Sequence, residues 1–258
     1  MSRKRKPFIV ANWKMNKSQK ETATYIEAFV KSFKDIKHPL EVGLAPVFTS
    51  LSVAEQLLKG SNVRLCAQNV HWDDNGQYTG EISAPMLKEL GVTHAIVGHS
   101  ERRKFFGETN ETVNKRLKAC IKHGLGVILC VGETKQERET GNTKAVVKDH
   151  IINGLYGIAK EDFLRYVSIA YEPVWAIGTG LNATVEQAVE VHSFIRELIN
   201  EVFGNGACDE LRILYGGSVK PDNIDGFMSS EQIDGALVGG ASLEPESFLR
   251  ICNFKEGL

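Results

Sequence analysis

Long hydrophobic runs and a net charge of either sign are both missing from this sequence of 258 residues. No run reaches the roughly 18 apolar residues that a transmembrane helix needs, so we expect no membrane partner. The 31 Lys and Arg residues nearly balance the 32 Asp and Glu residues, for a formal charge of −1. This balance excludes the overall basic field that attracts nucleic acids, so we expect no nucleic-acid partner either.

Paired cysteine motifs and metal-binding motifs are also missing. The five cysteines are widely spaced, odd in number and without a Cys-x-x-Cys motif, which favours a reduced, cytoplasmic setting. The seven histidines show no metal-ligand spacing, and neither a Walker motif nor His-Glu-x-x-His occurs. We therefore expect no metal and no cofactor.

The first seven residues are basic and lack the apolar stretch of a secretory signal. We expect residues 1–7 to form a solvated tail. No composition shift or flexible linker divides the rest, which predicts a single catalytic domain over residues 8–258.

Eight short apolar segments recur along the chain, each about four or five residues long and rich in β-branched types. They are Phe8–Ala11, Val42–Ala45, Val63–Ala67, His94–Val97, Val127–Val131, Val167–Tyr171, Arg212–Tyr215 and Ala236–Val238. Apolar and polar residues do not alternate within them, as expected for parallel strands buried on both faces. Between them the apolar spacing becomes helical, and Thr184 and Gln187 have capping-box spacing at the start of one such stretch.

This alternation of strands and helices leaves two parallel architectures, a doubly wound sheet and a closed barrel. Eight units in about 250 residues match the barrel. We therefore predict an α/β fold, a single-domain (β/α)8 barrel with eight parallel strands.

Polar residues and glycines follow most of the predicted strands. In a parallel barrel these strand ends lie on one rim, where such enzymes build their active sites. Glycine turns at 178–180, 216–218 and 239–240 would bring backbone N–H groups close to an anion, and phosphate is commonly held after strands seven and eight. The first of these turns also fits a dinucleotide fingerprint, but it follows the sixth strand and not the first, so we expect no dinucleotide site.

Seven segments, in the same order and over nearly the whole chain, resemble the triosephosphate isomerase family. They are residues 12–16 (NWKMN), 68–69 (QN) with 78–81 (YTGE), 98–103 (GHSERR), 130–133 (CVGE), 171–180 (YEPVWAIGTG), 215–218 (YGGS) and 238–242 (VGGAS). The resemblance implies a TIM barrel that interconverts dihydroxyacetone phosphate and D-glyceraldehyde 3-phosphate through an enediolate.

The resemblance also implies roles for individual residues. It makes Glu172 the base and a neutral His99 the electrophile, and we expect the start of a helix at Ser100 to disfavour the imidazolium. Lys14 would attract the phosphate and offset the charge of the enediolate, with Asn12 as a neutral donor beside it and with Glu101 and Glu133 in support. The remaining substrate contacts would come from the backbone of Gly178, Ser218, Gly239 and Gly240.

A lid and a second subunit follow from the same resemblance. The lid would comprise Trp175, Ala176, Ile177, Gly178, Thr179 and Gly180, although Leu181-Asn182 replaces the Lys-Thr that the family commonly has next. Met15 and Thr79 would lie at the contact of a homodimer.

Two other functions remain open. One is a Schiff-base aldolase-type barrel, against which Glu172 ends the sixth predicted strand and Lys14 is the lysine nearest a strand end. The other is a non-catalytic barrel that binds sugar phosphates, which would not need a base, an electrophile and a cation together.

Overall fold

Eight strands alternate with helices in the computed structural model, which describes residues 5–177 and 182–255. The strands are β1 (Phe8–Asn12), β2 (Glu41–Ala45), β3 (Val63–Ala67), β4 (His94–Val97), β5 (Gly126–Val131), β6 (Val167–Tyr171), β7 (Ile213–Tyr215) and β8 (Gly235–Val238). All eight predicted strands are confirmed, with no boundary displaced by more than one residue.

The helices occupy the connections between the strands. They are α1 (Gln19–Phe33), α2 (Leu51–Leu58), α3 (Ala84–Glu89), α4 (Ser100–Phe106), α5 (Asn110–Lys122), α6 (Lys135–Glu139), α7 (Thr143–Gly154), α8 (Lys160–Tyr166), α9 (Val185–Phe203), α10 (Ile224–Met228) and α11 (Pro245–Cys252). The predicted capping box is present at α9, where the Thr184 hydroxyl accepts the N–H of Gln187. This cap satisfies N–H groups that the first turn of a helix leaves unpaired.

Each strand runs parallel to the next, and β8 closes the sheet against β1. Closure, with Ala11 opposite Val238, excludes a doubly wound sheet and confirms the barrel. Because side chains alternate across a strand, Val10 faces the barrel interior while Ile9 and Ala11 pack under the helices. The strands are therefore buried on both sides, and their carboxyl ends meet at one rim.

Two described residues of the predicted tail, Arg5 and Pro7, contact the barrel. Arg5 Nε donates to Asp234 Oδ1 at 2.6 Å, and Pro7 is buried. Asp234, only 2% exposed, also accepts from Arg196. A buried carboxylate requires such partners. Arg5 therefore packs against the barrel at the start of β8, at the end opposite the rim.

None of the helices within residues 5–177 and 182–255 has the length and apolar character needed to cross a bilayer.

Candidate active site

A cavity of about 430 Å³ opens at the rim formed by the carboxyl ends of the strands. It brings together side chains at and just after the ends of β1, β4 and β6 with the loops after β7 and β8. Its lining includes Asn12, Lys14, His99, Glu172, Ile177, Ser218, Lys220, Gly239 and Gly240. Residues up to 229 positions apart in the chain (Asn12 and Ala241) thus share one cavity, as the barrel topology predicts.

Glu172 follows β6 directly and its side chain is only 2% exposed. Its backbone N–H donates to the carbonyl of Val131, which extends the pairing of β6 with β5. Its carboxylate accepts from the Ser100 backbone N–H at 2.9 Å and from the Ser100 hydroxyl at 3.1 Å. His99 Nε2 lies 2.9 Å from Glu172 Oε1. The carboxylate is therefore held at the start of α4.

The pKa of Glu172 reflects two opposed effects. Burial raises the pKa, but His99 and the hydrogen bonds from Ser100 together outweigh burial and hold it below its usual range. A buried carboxylate that stays ionised is available to accept a proton.

His99 caps the N-terminus of α4, which begins at Ser100 as expected. Its Nδ1 accepts the backbone N–H of Glu101 at 3.2 Å. Because Nδ1 is an acceptor, Nε2 carries the hydrogen in the neutral ring and donates it toward Glu172. The hydrogen bonds of His99 thus match a neutral imidazole.

The expectation that the helix start lowers the pKa of His99 is wrong for this conformation. Burial lowers the pKa, but the Glu172 carboxylate and its hydrogen bond outweigh burial and raise it. An ion 2.9 Å away in a buried site acts more strongly than the end of the seven-residue helix α4. The neutral imidazole therefore depends on the position of Glu172.

Lys14 lies in a strained turn after β1, with a backbone φ of 53° that non-glycine residues seldom adopt. The Asn12 side chain accepts its backbone N–H, and the Gln68 side chain donates to its carbonyl at 2.8 Å. Lys14 Nζ lies 2.5 Å from Glu101 Oε1. The turn aims this ammonium group into the cavity, with Glu101 as its counter-charge.

The loops after β7 and β8 form the other side of the cavity. Ser218, Gly239 and Gly240 all line it. Asn223 fixes the first loop, since its side chain donates to the carbonyl of Ser218 and accepts the backbone N–H of Lys220. Gly178, the remaining expected phosphate contact, lies outside the described residues.

Glu133, fully buried after β5, ties the base of the predicted lid to the barrel. Its carboxylate accepts from the Tyr171 hydroxyl at 3.1 Å, from Trp175 Nε1 at 2.9 Å and from Arg138 Nη1 at 3.3 Å. The Arg138 guanidinium also lies over the Trp175 ring. Ala176 is buried, whereas Gly178, Thr179, Gly180 and Leu181 lie outside the described residues.

The two residues expected at a dimer contact both point to solvent. Met15 is 93% exposed, and Thr79 is exposed in the loop between β3 and α3. Arg116 anchors that loop by donating to the carbonyl of Val70. Neither residue contributes to the cavity of about 430 Å³.

Sequence reasoning gave no role to Ser100, Gln68 or Arg138. Ser100 and Gln68 lie within the segments that resemble the family, but their partners are distant: Ser100 and Glu172 are 72 positions apart and Gln68 and Lys14 are 54 positions apart. Arg138 lies five residues from Glu133 on α6, a proximity that was readable in the sequence.

Within the described ranges, no group of three or more His, Cys, Asp or Glu side chains is arranged to hold a metal ion.

Comparison with known proteins gives matches along nearly the whole chain. The model of the family described as Triosephosphate isomerase matches residues 7–255. The triosephosphate isomerase of Aquifex aeolicus (strain VF5) is 53% identical over 246 residues, which cover 95% of this chain and 97% of that protein. That of Geotalea uraniireducens (strain Rf4) is 49% identical over 252 residues, which cover 98% of this chain and 100% of that protein.

Proposed function

Since the chain belongs to the triosephosphate isomerase family, we propose that its rim interconverts dihydroxyacetone phosphate and D-glyceraldehyde 3-phosphate. The observation that carries this proposal is the convergence of Glu172, His99 and Lys14 on one cavity of about 430 Å³ beside the glycine loops. A proton shift between adjacent carbons needs a base, a donor to the carbonyl oxygen and compensation of the enediolate charge. These three side chains supply one of each.

Glu172 is the base in this mechanism. It removes a proton from one carbon of the substrate and returns it to the neighbouring carbon. To reach the substrate, the carboxylate leaves its hydrogen bonds with Ser100 and turns into the cavity that it already lines. Its depressed pKa keeps it ionised before it turns.

His99 polarises the oxygens of the substrate. When Glu172 turns away, the Nε2–H that faced the carboxylate becomes free to donate to the carbonyl. The departure also removes the charge that raised the pKa of His99, while burial and the Glu101 N–H on Nδ1 remain. With the carboxylate gone and burial unchanged, the pKa of His99 falls, which favours the neutral imidazole as the donor.

Lys14 and Asn12 bind the substrate from the β1 side, and the backbone N–H groups of Ser218, Gly239 and Gly240 hold the phosphate. Glycine permits close approach of the backbone, and a row of N–H groups favours a dianion. Gly178 would add a further N–H group. Closure of the lid over this assembly excludes water, which protects the enediolate from side reactions.

Substitution of the base tests the mechanism. We expect Glu172→Gln to fold like the unmodified protein and to lose about 10²–10⁴-fold in turnover, the range typical of a general base. The measurement is deuterium incorporation from solvent into dihydroxyacetone phosphate. Glu161→Gln, at an exposed position on α8, is the matched control and keeps full activity. Near-native exchange by Glu172→Gln would contradict the assignment.

The same samples separate the two alternative functions. A Schiff-base barrel would give a covalent adduct with substrate on borohydride reduction. A non-catalytic barrel would bind phosphate esters without any deuterium exchange. The buried ionised carboxylate at Glu172 favours the isomerase over both.

The protein also works as a homodimer in this proposal. Two large hydrophobic side chains beside the active site are exposed, Met15 (93%) and Phe106 (67%). A surface groove lined by Met15, Gln68, Glu101 and Phe106 continues from the active site. An apolar surface beside the catalytic turn fits a second copy of the chain.

A reduced, cytoplasmic setting fits the five cysteines, all of which are free thiols.

A further inference from the structure

Lys220 is a charged residue of the cavity that the mechanism above does not use. It lies two positions after Ser218, is exposed, and lines the same cavity as Lys14 and Glu172. No carboxylate among the described residues forms an ion pair with it. Its ammonium group is therefore uncompensated beside the loops proposed to hold the phosphate.

The other charges at the cavity do not favour a dianion. The charge of Lys14 is largely offset by Glu101, whose carboxylate lies 2.5 Å from the ammonium group. Glu172 adds a negative charge. Without Lys220, these three side chains sum to −1, so their net charge does not add to the attraction that the backbone N–H groups of the glycine loops exert on a phosphate dianion.

The local backbone holds Lys220 in place. The Asn223 side chain accepts the backbone N–H of Lys220 at 2.8 Å and donates to the carbonyl of Ser218 at 3.0 Å. These two hydrogen bonds fix the backbone of Lys220 relative to Ser218, while the long side chain extends into solvent at its end. From this fixed backbone position, the Lys220 side chain can extend toward the part of the cavity lined by Ser218, Gly239 and Gly240.

We propose that Lys220 is a specificity-determining cation that attracts the phosphate group of the substrate and favours phosphorylated over unphosphorylated trioses. The proposal rests on the proposed function, because it assigns the phosphate end of the same cavity. Lys220 acts on binding and encounter from the loop after β7, whereas Lys14 lies on the β1 side of the same cavity. An exposed charge contributes modestly and is screened by salt.

Replacement of Lys220 by the neutral, similarly long methionine gives the test. We expect Lys220→Met to lower kcat/KM for D-glyceraldehyde 3-phosphate about fivefold at low salt, mostly through KM, because an exposed cation stabilises a nearby dianion only to this extent. The loss should shrink as ionic strength rises. Activity on glyceraldehyde, which lacks the phosphate, should not change, and Lys220→Arg should restore the affinity.

Lys59→Met is the matched control. Lys59 is exposed at the end of α2, before β3 and therefore at the opposite end of the barrel, and its loss changes the net charge equally. The proposal is overturned if Lys220→Met behaves like Lys59→Met. It is also overturned if the losses with phosphorylated and unphosphorylated substrates are equal.

A binding measurement separates this proposal from the isomerase mechanism. Titration calorimetry with inorganic phosphate should give a dissociation constant several-fold weaker for Lys220→Met than for the unmodified protein, whether or not the protein isomerises trioses. An unmodified protein without isomerase activity would refute the proposed function alone. Equal phosphate affinity in both proteins would refute the role of Lys220 alone.

Discussion

Three histidines outside the catalytic contacts, the fully buried His192 and the half-buried His94 and His150, have lowered pKa values in the folded protein. Burial lowers the pKa of His94 to about 4, that of His150 to about 4 and that of His192 to about 3. Each would have a pKa near 6.5 in the unfolded chain. Between these values the unfolded chain binds protons that the folded protein does not.

This difference sets a dependence of stability on pH. Because the folded pKa values are depressed, the histidine contribution is fully present above about pH 6.5 and is lost as the pH falls toward 4. We expect the free energy of unfolding to fall by about 1.4 kcal/mol per pH unit for each histidine in this window. Denaturant titrations at a fixed protein concentration, at a series of pH values, measure the slope.

Substitution of His192 tests how much one histidine contributes to the slope of the free energy of unfolding against pH. It is fully buried and its Nδ1 contacts the carbonyl of Gln232 at 3.1 Å. His192→Asn keeps a donor at the position of Nδ1 but cannot titrate, so the slope should fall by about one third. A slope unchanged by the substitution would show that His192 does not contribute to the acid sensitivity.

At the scale of elements, the contact between the ends of β5 and β6 positions the base. The carbonyl of Val131 accepts the N–H of Glu172, and the carbonyl of Glu133 accepts the N–H of Val174. Gly132, between them, packs so closely that an added Cβ would lie 1.7 Å from the carbonyl oxygen of Glu172. The backbone on both sides of the base is therefore locked to β5.

We expect Gly132→Ala to separate these strand ends and to displace Glu172. Since a displacement of about 1 Å at a reacting group can cost about 10²-fold in rate, turnover should fall by at least that factor. The free energy of unfolding should fall as well, because backbone atoms cannot yield as a side chain does. Steady-state kinetics and denaturant unfolding check the two effects.

Gly154→Ala provides the comparison. Gly154 ends α7, and an added Cβ would lie 3.6 Å from Leu129, an ordinary contact. We expect activity to stay unchanged and stability to rise by up to about 1 kcal/mol, since alanine favours helix over glycine. Equal damage by both substitutions would contradict the special role of the close approach at Gly132.

The sequence predicted those elements whose signal is local. Burial on both faces makes β1 to β8 recognisable as short uninterrupted apolar segments. The start of α9 was predictable because Thr184 and Gln187 satisfy its first N–H groups by themselves. The sequence did not predict the three separate helices α6, α7 and α8 between β5 and β6, because short polar helices such as α6 carry no apolar stripe.

The site was predictable as a set of residues but not as a conformation. Strand order alone brings Lys14, His99 and Glu172 to one rim. The rotamer that places Glu172 on Ser100, and with it the pKa directions of Glu172 and His99, depends on distances between side chains 72 positions apart. No local pattern encodes such distances.

At the scale of the whole molecule, we expect the protein to sediment as a dimer. Met15 follows the strained turn at Lys14, so a partner that covers Met15 would also stabilise the catalytic turn. Met15→Asp should therefore shift sedimentation toward the monomer and lower turnover together, because a charge in an apolar contact disfavours association. Sedimentation velocity and activity measured on the same samples check this expectation.

Tyr156→Asp is the control for surface charge. Tyr156 is 74% exposed, but it lies just after α7, away from the groove beside Met15. We expect it to leave both sedimentation and turnover unchanged. A fully active monomer of the unmodified protein at assay concentration would rule out the dimer.

The pairing of β8 with β1 has a consequence for self-association. In an open sheet the outermost strands present unpaired N–H and C=O groups, onto which strands of other molecules can add. Each of the eight strands here has a neighbour on both sides, so the folded barrel offers no such template. Within residues 5–177 and 182–255, the closed topology therefore disfavours the addition of further strands to the barrel sheet while the protein is folded.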